Sequence, residues 1–101
     1  GNHWHHTKTE KFLVVSGRGV VRFRPVGSAY NEGNADTEGI GDGGKPAVTE
    51  YFVSGDKLEV IDIPAGFTHN IENLGDTDMV TLMWASEPFD PDAPDTVFEL
   101  V

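Results

Sequence analysis

Hydrophobic positions along the chain follow the two-residue period of β-strands, and no segment shows a convincing 3.6-residue helical period. Residues 11–15 and 20–24 are rich in β-branched, aromatic and basic side chains, and they flank a Ser-Gly-Arg-Gly turn sequence at 16–19. This arrangement predicts a β-hairpin. Residues 49–53 and 57–63 flank a Ser-Gly-Asp turn in the same way, which predicts a second strand pair.

The second half of the chain continues this pattern. Residues 67–73 follow a Pro-Ala-Gly break and predict a strand that carries His69 on its more apolar side. Residues 79–85 form the most apolar segment, which predicts a central strand, and residues 97–101 predict a last strand. The sum is about six short antiparallel strands, so we expect an all-β fold built as a small barrel or sandwich.

Composition narrows the class of protein. The chain has 101 residues and a formal charge of −10, which disfavours nucleic-acid binding because that binding depends on cationic side chains. The sequence contains neither an apolar run of the roughly 20 residues that span a bilayer nor a secretory signal, so we expect no membrane contact and a cytoplasmic location. The length predicts a single domain over residues 1–101.

Two segments depart from the strand pattern. Residues 27–47 are rich in glycine and polar side chains, which predicts a mobile loop. Residues 87–96 form an acidic, proline-punctuated tail, and we interpret Asp90, Asp92 and Asp95 as solvated side chains of this tail.

The candidate chemistry depends on histidine. Because the chain has no cysteine, its strong metal ligands are limited to His, Asp and Glu. His3 and His5 are two residues apart, so an extended strand places both rings on one face. Glu10 follows a short bend, and His69 follows the Pro-Ala-Gly turn. Three imidazoles and one carboxylate can surround a divalent metal ion and still leave a position open for water or substrate.

The spacing of these residues resembles the two sequence motifs of the cupin family. The two spacings are His3-x-His5-x4-Glu10-x6-Gly17 and Pro64-x-Gly66-x2-His69-x3-Asn73. The resemblance implies a cupin-type antiparallel β-barrel, also called a jelly roll or double-stranded β-helix, with the metal in its interior. It also implies that the first strands of the barrel are missing from this chain, because a cupin normally has strands before the first motif.

Within the cupins, the chain resembles the C-terminal domain of the capsular polysaccharide assembling proteins of the CapF type. The matching segments are HWHHTKTEKFLVVSG, YFVSGDKLEVIDIPAGFTHNIENLGDTDMVTLMW and FDPDAPDT. The resemblance implies a cupin domain that epimerises a UDP-linked 4-keto-6-deoxy-N-acetylhexosamine at C3. In this family the cupin is joined to a nicotinamide-dependent reductase domain, which is absent here, and it is similar to zinc-bearing cupins.

The resemblance also assigns the metal ligands, and the other candidate residues are chosen by residue type. By motif position, His3, His5, Glu10 and His69 are the metal ligands, with Zn²⁺ as the expected ion and Fe²⁺, Mn²⁺ or Ni²⁺ as alternatives. The candidate acid, base or enolate-stabilising residues are Lys8, Lys11 and Tyr51. The candidate substrate-binding residues are His6, Arg22 and Arg24, of which the arginines suit a pyrophosphate. A surface histidine and a solvated strand face are the alternative interpretations of these three.

Two other functions remain open at this point. Three histidines and a glutamate also suit iron or manganese in a cupin dioxygenase or isomerase. Alternatively, the metal only stabilises a non-catalytic dimerisation domain. Cupins commonly pair through their sheets, so we expect a homodimer in each case.

Overall fold

The computed structural model describes residues 1–27 and 47–101, and these residues form eight β-strands. In chain order the strands are β1 (His3–His5), β2 (Glu10–Ser16), β3 (Arg18–Pro25), β4 (Thr49–Ser54), β5 (Val60–Ile63), β6 (Phe67–Asn73), β7 (Val80–Ala85) and β8 (Thr96–Phe98). The prediction of an all-β fold is confirmed for the described part of the chain. The predicted loop of residues 27–47 lies outside the described residues, apart from its two end positions.

The strands form two antiparallel sheets. The large sheet has five strands in the order β4-β3-β6-β1-β8, and the small sheet has three in the order β5-β2-β7. Strands that follow each other in the chain therefore often belong to different sheets, whereas in a simple series of hairpins they would pair with each other.

The predicted hairpin between residues 11–15 and 20–24 is wrong. β2 pairs with β5 and β7 in the small sheet, whereas β3 pairs with β4 and β6 in the large sheet. The link between β2 and β3 is Gly17, whose φ of 81° lies in the left-handed region that favours glycine. A single residue of this kind turns the chain from one sheet to the other, and composition alone does not distinguish such a corner from a hairpin turn.

The second predicted strand pair is also wrong. β4 lies in the large sheet and β5 in the small sheet, although an isolated bridge joins Ser54 and Lys57 at the turn between them. Both segments are strands, as expected, but their hydrogen-bonding partners lie elsewhere in the chain.

β7 is an edge strand, so the prediction of a central strand for residues 79–85 is wrong. Leu82, Met83 and Trp84 are 53%, 54% and 45% exposed. Met83 lies opposite the buried Phe12, while Leu82 lies opposite Leu13 on the outer face of the small sheet. The side chains on the inner face and on the outer face of β7 are both apolar, so its sequence has the continuous apolar run of a central strand although it lies at an edge.

The core lies between the two sheets. Strand register places inward-facing side chains of β2 and β5 opposite each other, as in the pair Phe12 and Ile61. The buried residues that form the core cluster are Phe12, Val14, Val21, Val53, Ile61 and Ile63. The predicted apolar side of β6 packs against this cluster through Phe67 and Ile71, which sets the face on which His69 lies.

Replacing Gly19 by alanine is expected to destabilise the fold. A Cβ atom at this position would collide with the carbonyl oxygen of Glu72 and lie 2.5 Å from Sδ of Met79. Overpacking of this kind costs about 1–3 kcal/mol, and a backbone atom cannot move aside as a flexible side chain can. Urea unfolding of Gly19→Ala measures the loss. Gly27→Ala is the control, since among the described residues its Cβ would meet nothing within 4 Å; equal stability of the two variants would contradict the prediction.

No helix among the described residues is long and apolar enough to cross a membrane.

Candidate metal centre

The four predicted metal ligands come from both sheets. β1 pairs with β6 so that His3 lies directly opposite His69, and His5 lies on the same face of β1 as His3. Glu10 begins β2 in the small sheet. The two sheets therefore supply imidazoles from one side and a carboxylate from the other.

These four side chains converge in the interior. Each offers a ligand atom, and the four ligand atoms all lie within 4.8 Å of one another. Nε2 of His5 is 3.0 Å from Oε1 of Glu10, and Nε2 of His69 is 2.7 Å from Oε2. Nε2 of His3 lies farther from Oε2, at 3.9 Å. The structure thus brings together every side chain that the two motif spacings assign to the metal.

The outer ring nitrogens of two histidines are fixed by backbone carbonyls. Nδ1 of His5 donates to the carbonyl oxygen of Asp95 at 2.8 Å, and Nδ1 of His69 donates to that of Phe67 at 3.0 Å. A neutral imidazole protonated at Nδ1 holds a lone pair at Nε2. Metal-binding histidines in proteins are usually fixed in this way.

The Nε2 atoms of His5 and His69 therefore point at a negatively charged carboxylate, and a cation between them relieves the repulsion. Two Nε2 lone pairs point at the oxygens of one ionised carboxylate, and such contacts are repulsive unless a proton or a metal ion lies between them. Neutral imidazole nitrogen and carboxylate oxygen are suitable ligands for a divalent transition metal. The residues present therefore fit a metal ion such as zinc.

Electrostatics in the cluster favour the charge states that a metal needs. In the metal-free chain, a proton in place of the cation lets Nε2 of His69 donate to the carboxylate, and this hydrogen bond is the main cause that lowers the pKa of Glu10 from 4.5 to about 2. His5 adds to this effect, and burial opposes it. Burial lowers the pKa of His3, and the neighbouring His69 lowers it further. Near neutral pH, Glu10 is a carboxylate and His3 favours its neutral, ligating form.

The metal-free protein is expected to lose stability in acid through Glu10. Because its pKa is about 2 in the folded chain against 4.5 when unperturbed, its contribution is fully present above pH 4.5 and disappears as the pH falls towards 2. The shift corresponds to about 3 kcal/mol. Urea unfolding of the chelator-treated chain at pH 5.5 and pH 3 should show a larger loss for the wild type than for Glu10→Gln. Identical losses in both proteins would contradict the assignment.

A small cavity of about 120 Å³ opens beside the cluster. Its walls include His3, Glu10 and His69 together with the apolar side chains of Phe12, Ile71 and Met83. The Phe12 ring contacts His69 edge-on, with 5.6 Å between the ring centres. The cavity thus combines an apolar wall with one polar end, which is typical of a small-molecule site.

The three candidate acid–base residues lie in different surroundings. Lys8 is buried, and its Nζ lies 5.9 Å from the centre of the Phe89 ring. Lys11 forms an ion pair with Asp62 and alternates with Glu10 along β2, so it points to the outer face of the small sheet. The structure therefore places Lys11 away from the four-ligand cluster.

Tyr51 lies on the inner face of the large sheet. It is opposite the buried Val21 on β3, and its ring stacks on Phe23 with 5.8 Å between the ring centres. Phe23 in turn lies opposite His69 on β6. Tyr51 and the cluster therefore occupy the same face, separated by neighbouring strands.

The three candidate substrate-binding residues point away from the cluster. His6 is exposed and packs edge-on against Trp4, 4.5 Å between ring centres. Arg22 pairs with Glu50 and Glu72 at 2.8 and 2.6 Å, and these partners raise the pKa of its guanidinium. Arg24 is buried, pairs with Glu99 at 3.0 Å and donates to the carbonyl of Leu100 at 2.6 Å. Both guanidinium groups thus already have partners within the fold.

The sequence interpretation missed Asp95, which is not a solvated tail residue. Its carboxylate accepts hydrogen bonds from three consecutive backbone N–H groups, those of His6, Thr7 and Lys8. These bonds hold the pKa of Asp95 well below its usual range, with the Thr7 N–H as the main cause. Sequence gives no signal for this contact, because it joins positions almost 90 residues apart.

Comparison with known proteins finds a family match and similar proteins of known name. Residues 1–97 match the family described as the polysaccharide biosynthesis C-terminal domain. The UDP-2-acetamido-2,6-beta-L-arabino-hexul-4-ose reductase of Pseudomonas aeruginosa is 38% identical over 98 residues, which are 95% of this chain and 21% of that protein.

Solved structures show the same relationship. A crystal structure of the capsular polysaccharide assembling protein CapF from Staphylococcus aureus is 60% identical with a TM-score of 0.79, and the match covers 100% of this chain and 23% of that one. A crystal structure of CapF with the inhibitor 3-isopropenyl-tropolone is also 60% identical, with a TM-score of 0.78, and covers 100% of this chain and 25% of that one. The chain spans about a fifth to a quarter of the length of these relatives.

These matches confirm two predictions. The likeness at 60% identity over the whole chain confirms the cupin fold and the resemblance to proteins of the CapF type. The family match, which extends over residues 1–97, agrees with the structural one. The chain therefore belongs to the polysaccharide biosynthesis C-terminal domain family.

Proposed function

We propose that this chain is a metal-dependent sugar-nucleotide epimerase domain of surface polysaccharide biosynthesis. Its substrate would be a UDP-linked 4-keto-6-deoxy-N-acetylhexosamine, and its reaction the inversion of C3. The observation that carries the proposal is the convergence of the His5 and His69 Nε2 atoms on the Glu10 carboxylate beside a cavity. The relatives named as a UDP-sugar reductase and as CapF support the substrate class.

In this proposal the metal is held by His3, His5, Glu10 and His69. When bound, the ion would supply a Lewis acid next to the C4 carbonyl oxygen of the substrate. Zn²⁺ is the proposed ion because nitrogen and oxygen ligands suit it and the reaction needs no redox change. The name of the inhibitor in one solved CapF structure adds support, since a tropolone carries adjacent ketone and hydroxyl oxygens that chelate divalent cations.

The remaining chemistry is proton transfer. The C4 ketone acidifies the hydrogen on C3, a base removes it, and a proton returns on the opposite face of the ring. The residues proposed for this transfer are Tyr51, which shares the inner face of the large sheet with His69, and the buried Lys8. Lys11 points to the outer face of the small sheet and is not proposed for it. His6, Arg22 and Arg24 point away from this cavity, and both arginines already have acidic partners, so none of the three is proposed to contact the sugar there.

The size of the cavity limits what it can enclose. Its volume of about 120 Å³ is below the 300–1,000 Å³ typical of pockets for drug-sized ligands. The reacting part of the hexose would enter it, and the UDP group would lie outside. The apolar side chains of Phe12, Ile71 and Met83 would exclude water from the reacting carbons.

The reaction named for the Pseudomonas relative is a reduction, which needs a hydride donor. The part of the chain that the structure describes is all-β and contains no βαβ unit for a nicotinamide nucleotide. We propose that an NAD(P)H-dependent reductase domain acts on the product of this cupin, in the cytoplasm.

Exchange of the C3 hydrogen tests the proposed reaction. The zinc-loaded protein is incubated in D₂O with the UDP-linked 4-keto sugar, and mass spectrometry and NMR measure deuterium at C3. Deuterium uptake that stops on chelation and returns with Zn²⁺ supports the proposal. UDP-N-acetylglucosamine is the control substrate, because without a ketone its C3 hydrogen is not acidic. Absence of exchange contradicts epimerisation, and iron in anaerobically purified protein with substrate-linked oxygen uptake would instead support a dioxygenase.

We also propose that the protein is a homodimer that pairs through the outer face of the small sheet. Val60, Leu82 and Trp84 are about half exposed on that face, and large exposed apolar patches usually mark interfaces. Light scattering at micromolar concentration is expected to give the mass of a dimer, and Leu82→Glu is expected to shift it to a monomer. A monomeric wild type, or a dimeric variant, would contradict this interface.

A further inference from the structure

Asp95 connects the C-terminal segment to the metal cluster by two separate routes. It precedes β8, which pairs with β1 so that Thr96 lies opposite His5. Its backbone carbonyl oxygen accepts the Nδ1–H of His5 at 2.8 Å. Its side chain accepts hydrogen bonds from the turn that follows His5. One residue therefore contacts both a proposed ligand and the turn beside it.

The carboxylate of Asp95 sits in a ring of donors. Oδ1 accepts from the N–H of His6 at 2.7 Å, and Oδ2 accepts from the N–H groups of Thr7 and Lys8 at 3.0 Å each. The hydroxyl of Thr7 adds a further bond to Oδ2 at 3.2 Å. Successive backbone N–H groups that converge on one anion form a nest, which fixes the backbone conformation of the residues that supply them.

The residues held by this nest lie between two proposed ligands. The turn of residues 6–9 joins β1, which ends at His5, to β2, which begins at Glu10. His5 belongs to the large sheet and Glu10 to the small sheet, so this turn sets how the imidazole and the carboxylate meet. An anionic anchor on the turn therefore controls the separation of two groups that must converge on one ion.

A histidine ligand must also be in the tautomer that leaves its metal-facing nitrogen free. The backbone carbonyl of Asp95 controls this tautomer in His5. A carbonyl oxygen can only accept, so it keeps the proton on Nδ1 and leaves Nε2 free to bind a metal. The hydroxyl of Thr96 lies farther from Nδ1, at 3.4 Å. The side-chain bonds of Asp95 hold its carbonyl at this place together with the pairing of β8 with β1.

We propose that Asp95 is a positioning residue of the metal centre, which fixes His5 in its metal-binding tautomer and orientation. This inference rests on the proposed metal function. His69 offers an internal comparison, because its Nδ1 is held by the carbonyl of Phe67 and not by Asp95. Loss of the Asp95 carboxylate should therefore disturb His5 and leave the ring of His69 unchanged.

Zinc affinity tests the inference with Asp95→Asn, which keeps the shape of the side chain but replaces one acceptor oxygen with an NH₂ group. This group cannot accept from the N–H groups of the turn. Competition with a chromophoric zinc chelator is expected to show a dissociation constant raised about 10- to 100-fold, the usual effect of losing a partner of a metal ligand. Asp92→Asn is the matched control, since the Asp92 carboxylate has no hydrogen bond or ion pair among the described residues and lies in the same tail.

Ring ¹⁵N spectra of the zinc-loaded proteins separate positioning from general destabilisation. In the wild type, His5 and His69 should both show protonated Nδ1 and metal-bound Nε2. In Asp95→Asn the His5 signals should shift or broaden while the His69 signals stay in place. A purely structural role would instead lower the unfolding temperature of the metal-free variant and leave the zinc affinity and the His5 signals as in the wild type, which would overturn the inference.

Two failures can be told apart. If the wild type binds no Zn²⁺, the proposed metal function fails, and the role of Asp95 fails with it. If the wild type binds Zn²⁺ and Asp95→Asn binds it equally well with unchanged His5 signals, the metal function stands and the role of Asp95 is overturned. Asp95→Ala, compared with Asp95→Asn in the same assays, should give the larger loss because it removes both acceptor oxygens.

Discussion

The His69→Ala variant is expected to bind zinc far more weakly and to lose the exchange of hydrogen at C3 of the substrate. His69 is almost fully buried, and its Nε2 lies 2.7 Å from the Glu10 carboxylate, at the centre of the cluster. Zinc binding at structural sites supplies about 10–16 kcal/mol, shared among four ligands. The loss of one ligand should therefore cost about 3 kcal/mol, which corresponds to roughly a hundredfold weaker binding.

Zinc affinity, measured by competition with a chromophoric chelator, and C3 deuterium exchange test this prediction. His69→Gln is a second variant, because the buried site could collapse around alanine while glutamine keeps most of the volume. His6→Ala is the control for zinc binding, since His6 follows β1, is exposed and packs on Trp4 away from the cluster. A zinc affinity equal to that of the wild type in both His69 variants would remove His69 from the metal site.

Addition of zinc to the chelated wild type is expected to raise its unfolding temperature by about 15–30 °C. A ligand that binds only the folded state at a thousand times its dissociation constant adds about 4 kcal/mol. For a domain of this size, each kcal/mol shifts the midpoint by about 4–8 °C. Because the ligands come from both sheets, the ion would tie the small sheet to the large one.

Differential scanning calorimetry of the wild type and Glu10→Gln measures this shift. The variant lacks the carboxylate supplied by the small sheet, so zinc should raise its midpoint far less. Mg²⁺ is the control ion, since it prefers oxygen ligands and waters over imidazole. An equal shift in wild type and variant would place the zinc elsewhere, and the absence of a shift in both would contradict a metal that supports the fold.

The local sequence predicts much of this protein because strand-forming patterns and turn residues act over short distances. The strands at residues 67–73 and 49–53 occur where the pattern of apolar and turn residues places them. The alternation of side chains along β1 correctly separates His3 and His5 from His6. The spacing of His3, His5, Glu10 and His69 identifies the group of residues that converges in the interior.

The pairing of strands could not be predicted in the same way. The Ser-Gly-Arg-Gly turn has the composition of a hairpin loop, but Gly17 takes the chain from the small sheet to the large one. The apolar segment of β7 has the composition of a central strand, but it lies at an edge. Hydrogen bonds between strands depend on partners far along the chain, and a local pattern contains no information about which partner is chosen.

For this protein the sequence alone determined the all-β class, the cupin resemblance and the identity of the four candidate ligands, since each depends on residue types at short spacings. Only the tertiary structure decided which sheet supplies each ligand, that Arg22 and Arg24 already have acidic partners, and that Asp95 is bound by the turn after His5. These features arise where distant segments meet, and the free energy of such contacts depends on geometry that residue order does not contain. Asp95, one of several acidic residues in the tail, therefore has its proposed role only because the fold brings it next to the turn after His5.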